Sequence, residues 1–159
     1  NARALYLDQG RLWIDGGGSG WATLTDAPQL PPGAPAPPLL SRYAAPVDLV
    51  GNWRQTWSRH DPAKPPRTEA AVLQLRQAAD GALRLTYDEC NALTGQIQLS
   101  GDGWIWRADI GTTLVGCPPA TAWVEARLID AAAYGISTRG ELLLLSRGGE
   151  PLLAFARAG

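Results

Sequence analysis

The 159-residue chain has no methionine, one histidine, one phenylalanine and two cysteines, and a single lysine among its 14 basic residues. Each scarcity excludes something. A metal site normally takes three or four ligands, and His60 lies far in sequence from both Cys90 and Cys117. The two cysteines are also too far apart for a Cys-x-x-Cys redox centre. No Gly-x-Ser-x-Gly stretch accompanies His60-Asp61, so that pair lacks a nucleophile. No apolar run approaches the ~20 residues that cross a bilayer. A net charge of −1 provides no field to draw in nucleic acid or anionic lipid, and neither is an expected partner. Without methionine the sequence holds no translation start, which fits removal of an export signal. The near-absence of lysine reflects a GC-rich coding bias and carries no mechanism.

What is present is β-forming. Residues 3–25 read as short strands, with a Gln9-Gly10 turn and a "GGGSG" break at 16–20. That glycine stretch lacks the strand, helix and lysine of a phosphate loop and reads as a flexible turn. Residues 26–38 hold six prolines and read as an extended, semi-rigid connector. "LLSRYAA", 39–45, is expected to make one or two helical turns burying Leu39, Leu40 and Tyr43. From Leu49 the pattern turns strongly β. "LVGNWRQTW" alternates, and "PAKPP" then reads as a loop. Three hairpins follow. In the first, Leu73 and Leu75 share a face, as do Leu83, Leu85 and Tyr87, about an Asp80-Gly81 turn. The second carries Ile97 and Leu99 before Gly-Asp-Gly, and the third turns at Gly148-Gly149. The leucine run of the third predicts a strand covered on both faces. Residues 118–134, starting with prolines and followed by Gly135, read as a helix. On its wheel Val124, Leu128 and Ala131 share a side, Ile129 lies further round, and Arg127 and Asp130 fall outside. The fold class is α+β: an antiparallel, partly open β-barrel, or rolled sheet, packed on one main helix. Residues 1–48 form an N-terminal β extension with its Pro-rich connector at 26–38, and 49–159 form the main domain.

Four groups of residues invite chemistry. Cys90 and Cys117 read as a metal pair, a labile redox pair, a disulfide or two buried thiols. Asn91 and Thr113 flank them, and such side chains commonly satisfy loose backbone ends in turns. Glu125 falls inside the apolar arc of the helix, where an ionised carboxylate needs donors. Backbone amides of a neighbouring loop, Arg107 or Thr113 are the candidates, which makes Glu125 a polar anchor in preference to an acid of raised pKa. Trp53 and Trp57 share one strand face, and Trp104 and Trp106 another. Such residues are core or rim by default, and several exposed together mark a binding surface.

An ordered series then resembles a known family. "GNW" at 51–53, "DECNALTGQIQL" at 88–99, "IGTTLVGCPPA" at 110–120, Glu125, "ELLLL" at 141–145 and "PLLAFA" at 151–156 are similar to the META domain family. That family includes the HslJ-like, heat-shock-associated proteins of bacterial envelopes. The likeness covers about residues 49–157. Glu89 stands where members usually have glycine, and Leu93 where an aromatic is common. The resemblance implies a cracked barrel with a helix, and a periplasmic domain or outer-membrane-anchored lipoprotein without established catalysis, cofactor or metal. Any membrane attachment would run through a lipid anchor preceding Asn1. Export and an even cysteine count then favour a Cys90–Cys117 disulfide. The functional expectation is a non-catalytic envelope domain that binds a protein partner or supports envelope integrity under stress. The alternative is a carrier holding a small apolar molecule inside the barrel. A hydrolase using His60 or Glu125 ranks third.

Overall fold

The computed structural model describes residues 4–8, 11–15, 21–23, 29–63 and 71–159, with the backbone alone for those up to 23 and for Arg107. Residues 9–10, 16–20 and 64–66, and with them the Gln9-Gly10 turn, the glycine break and the end of the "PAKPP" loop, lie outside the described residues, as does the start of the proline-rich connector through Pro28.

Three short strands, β1 (Ala4–Asp8), β2 (Arg11–Asp15) and β3 (Trp21–Thr23), form a small antiparallel sheet in that order. The main sheet has nine strands. They are β4 (Leu40–Arg42), β5 (Gly51–Ser58), β6 (Val72–Gln77), β7 (Leu83–Asp88), β8 (Ala92–Leu99) and β9 (Ile105–Thr112). After the helix α1 (Pro119–Asp130) come β10 (Ala133–Ser137), β11 (Leu142–Leu145) and β12 (Pro151–Arg157). The order is β4-β10-β11-β12-β5-β6-β7-β8-β9, antiparallel throughout. The class is α+β, as the sequence predicts. The sheet does not close into a barrel, because its terminal strands β4 and β9 do not pair. Its two ends do approach each other, through a Trp104–Ala133 bridge and bonds beside it that include Ile105 N–H to Ala132 O (3.0 Å) and Tyr134 N–H to Gly103 O (2.8 Å).

Local chemistry explains the hairpins. Asp80 and Gly81 have φ of 76° and 79°, the left-handed values a two-residue β turn requires and which aspartate and glycine tolerate. The Asp80 carboxylate accepts the Ala82 amide (3.3 Å). Further along the sheet, a Cβ at Gly95 would stand 2.1 Å from the Asp109 carbonyl oxygen. Glycine there lets β8 and β9 approach more closely than any side chain permits.

The core lies between the sheet and α1. Leu73, Leu75, Leu83, Leu85, Tyr87, Leu93 and Ile97 form its wall, and Val124 and Leu128 of α1 press onto it with Trp53, Leu142, Leu144 and Phe155. Burial on this scale is the main favourable term in folding. β11 is buried on both faces: Leu143 and Leu145 join Trp57, Ala133 and Ala154 in a second cluster, covered by Leu30 of the proline-rich connector. The leucine run thus has the environment its composition predicts. Tyr134, also buried, donates its hydroxyl to the carbonyls of Ala44 and Ser100. Burial and, secondarily, the Asp102 charge raise its pKa above the usual tyrosine value, so it remains a donor.

Two local expectations are corrected. The helix ends at Asp130, not at residue 134. Ala132 gives its amide to Leu145 O (3.1 Å) and its carbonyl to Ile105, so the sheet captures the chain and Ala133, Tyr134 and Gly135 belong to β10. "LLSRYAA" is not helical: Leu40–Arg42 is a strand on β10, and Thr138 N–H bonds Leu39 O (3.0 Å). Leu39, Leu40 and Tyr43 are exposed rather than buried. Pro46 disfavours helix at the preceding residue, and a seven-residue segment gains little from helical propensity alone.

Candidate functional site

The site is assembled from three segments that the fold brings to one end of α1. The β7–β8 turn supplies Glu89, Cys90 and Asn91, the loop after β9 supplies Thr113, Val115 and Cys117, and the helix supplies Glu125. Cys90 and Cys117 form a disulfide, with Cα atoms 6.0 Å apart and 27 residues between them in sequence. It ties the turn to the loop one residue before Pro118, which precedes the helix.

Glu125 is 5% exposed, and its burial is matched by donors. One oxygen accepts the backbone amides of Asn91 (2.8 Å) and Cys90 (3.3 Å), and the other accepts Asn91 Nδ2 (2.8 Å). Three N–H bonds to one carboxylate are the arrangement that makes a buried charge tolerable. Asn91 is the hub. Its Oδ1 accepts Val115 N–H (2.7 Å) and the Thr113 hydroxyl (3.2 Å), and its Nδ2 also approaches Cys117 Sγ (2.9 Å). The Thr113 Oγ in turn accepts the Ala92 amide (3.0 Å). Glu89 accepts the hydroxyl of buried Tyr87 (2.7 Å). Every polar atom of the hub thus has a partner, which is the signature of an anchor.

Glu125, Asn91 and Thr113 are therefore brought together with both cysteines. Of the donors considered from sequence, the backbone amides serve Glu125, whereas Thr113 serves Asn91 instead. The ligand atoms of Cys90, Cys117 and Glu125 lie within 4.8 Å of one another, but sulfurs bonded to each other offer no thiolate to a metal. His60 is not part of this assembly. Its ring stacks on Trp123 (5.6 Å between centroids), with the Arg127 guanidinium on the same indole (5.5 Å). At 100° per residue, Trp123 and Arg127 lie on the side of α1 away from Glu125.

The four tryptophans divide. Trp53 and Trp57 are buried, which removes them from the expected binding surface. Trp53 donates Nε1–H to Leu49 O (2.8 Å) under the Arg157 guanidinium (4.6 Å). Trp104 and Trp106 are 45% and 76% exposed and border an open groove of about 400 Å³ with Ile129, Asp130 and Arg147. Ile129, which lines the same groove, is also exposed, and Leu114 and Val115 are exposed separately, in the loop after β9. Leu114 and Val115 have no sequence signal setting them apart from core residues. The domain interior, by contrast, is filled: between Leu49, Leu75, Ile97, Leu128 and Leu144 the free space is about 20 Å³, room for roughly one water molecule.

Among the described residues no helix is long and apolar enough to cross a membrane. A disulfide of this kind belongs to an oxidising, exported location. No curated protein and no solved structure matches the chain. The model of one family, described as the META domain, matches residues 47–159, and the chain belongs to that family.

Proposed function

We propose that this chain is a non-catalytic domain of the bacterial cell envelope, periplasmic or held by a lipid anchor, which binds a protein partner in support of envelope integrity or stress response. We read its open sheet as a rolled half-barrel whose packed interior is scaffold and whose outer rim is the working surface. The observation that carries the reading is the exposed Trp104–Trp106 pair beside Ile129. Large apolar side chains gathered at a rim groove are the usual anchors of protein interfaces. The cluster around Glu125 supports the same reading, because its polar groups are used up in holding the fold. A free space of about 20 Å³ inside weighs against the carrier of small apolar molecules.

In-envelope photo-crosslinking from position 104 tests this. A discrete adduct with another envelope protein is expected, and Trp104→Ser with Ile129→Ser should weaken that purified complex by roughly 30-fold or more, the scale of a lost hot spot. Adducts confined to abundant bystander proteins, or a complex indifferent to both substitutions, would count against the proposal.

A further inference from the structure

Asn91 grips the chain on both sides of one residue. Its Oδ1 accepts the Thr113 hydroxyl (3.2 Å) and the Val115 amide (2.7 Å), and its Nδ2 reaches the Val115 carbonyl (3.5 Å). Thr113 is held again through its own amide, on Ala92 O (3.2 Å), and Val115 lies just ahead of the Cys117–Cys90 bond. Leu114, between them, is left outside: it is 94% exposed, and Val115 is 60% exposed. Residues 111–116 are exposed without a break, and 113–116 belong to no helix or strand. Among the described residues neither the N–H nor the C=O of Leu114 has a partner. The tip is fixed from behind and open in front. It offers an apolar side chain and free main-chain groups, and it has little conformational freedom to lose on binding.

A side chain that stands clear of the surface needs a concave partner. An endopeptidase cleft receives a segment of this kind: one side chain enters the specificity pocket, and the main chain pairs with the enzyme as an added strand would. This loop differs from an ordinary substrate in what holds the two sides of the bond. Water splitting the Leu114–Val115 peptide would leave a carboxylate on Leu114 and an amine on Val115. The first end would stay tied through Thr113 to Ala92 and Asn91, and the second through Cys117 to Cys90. Ends held together in this way do not diffuse apart, and their rejoining competes with release. Residues 108–119 contain no lysine or arginine, so nothing draws the tip to anionic lipid. We propose that the 113–117 loop is a substrate-like inhibitory loop, which fills the active-site cleft of an endopeptidase that cuts after large apolar residues, with Leu114 in its pocket. None of these loop residues lines the Trp104–Trp106 groove, so the inference goes beyond the rim reading and is tested apart from it.

The test is inhibition by the full, disulfide-bonded chain of a chymotrypsin-like endopeptidase, which has an apolar pocket, and of a trypsin-like one, which cuts after basic residues. The expected result is competitive inhibition of the chymotrypsin-like enzyme with an inhibition constant of about 1 μM or tighter, while the chain stays largely uncut. Leu114→Asp should weaken it about 100-fold or more, and Leu114→Arg should transfer inhibition to the trypsin-like enzyme. At 94% exposure neither substitution touches the core, and circular dichroism checks that both variants fold. Reduction of the disulfide by a dithiol should turn the loop into a substrate, cut between Leu114 and Val115. No inhibition up to about 100 μM, inhibition that survives Leu114→Asp, or a Leu114→Arg chain that ignores the trypsin-like enzyme would overturn the proposal. So would rapid cleavage of the oxidised chain at this bond. Sedimentation and flotation with anionic vesicles cover the other occupants: a dimer or a vesicle complex that Leu114→Asp abolishes would assign the tip to a second copy or to a membrane, and would also overturn it.

Discussion

Replacing Cys90 and Cys117 together by serine should lower the unfolding free energy by about 3.5 kcal/mol. The bond closes a loop spanning 27 residues, and in the chain-entropy description the denatured state regains the freedom that loop had lost. The loss is a large fraction of the ~5–15 kcal/mol that holds a typical domain together. Urea unfolding should show a lower midpoint together with a slope no smaller than before, because the released chain expands further. Reduction of the native chain by a dithiol should give the same midpoint as the serine variant. The loosened region should be local first: the 113–118 loop and the start of α1 should lose hydrogen-exchange protection before the β5–β8 core. A loss below ~1 kcal/mol would mean that the Glu125 hub already fixes both loops and that the bond is redundant.

Glu125→Ala is expected to cost about 3–5 kcal/mol, comparable to removing one partner of a buried ion pair. Three N–H groups, from Cys90, Asn91 and the Asn91 side chain, would be left without their acceptor. Glu125→Gln separates charge from geometry. One glutamine oxygen can still accept the two backbone amides, but its NH₂ then faces Asn91 Nδ2, donor against donor. Asn91 cannot flip to relieve this, because its Oδ1 already accepts from Val115 and Thr113. The glutamine variant should therefore fall between the two, at about 1–3 kcal/mol. Thermal and urea unfolding give both values. If Glu125 were instead a reactive acid, the alanine variant would keep its stability and lose only a function.

What was legible in the sequence, and what was not, divides by the range of the interaction that decides it. Asp80-Gly81 is a turn because two adjacent residues tolerate positive φ, and the Leu73/Leu75 and Leu83/Leu85/Tyr87 faces follow from alternation alone. The helix start was readable from Pro118 and Pro119. Its end was not, since Ala131–Tyr134 are good helix formers that Leu145 and Ile105 draw into the sheet. Leu40–Arg42 became a strand for the same reason, through contact with β10, about 95 positions later. At the site, the conspicuous feature was a carboxylate on an apolar helix face. Its need for donors was evident, but the identity of the donors depended on the sheet folding the 89–91 turn over α1. The tryptophans show the limit most clearly. Trp53 and Trp104 lie in similarly β-forming sequence, yet Trp53 is packed in the main core under Arg157 whereas Trp104 is 45% exposed, a difference set by residues distant in sequence.

The disulfide, Asn91 and Glu125 act as a single structural clamp between two loops and α1. A double-mutant cycle that combines Cys90→Ser/Cys117→Ser with Glu125→Ala, read by urea unfolding, tests it most directly. Groups that share one clamp should be non-additive, with a coupling of about 1 kcal/mol or more. Two losses that simply add, within about 0.5 kcal/mol, would show that bond and carboxylate act separately and would contradict the account.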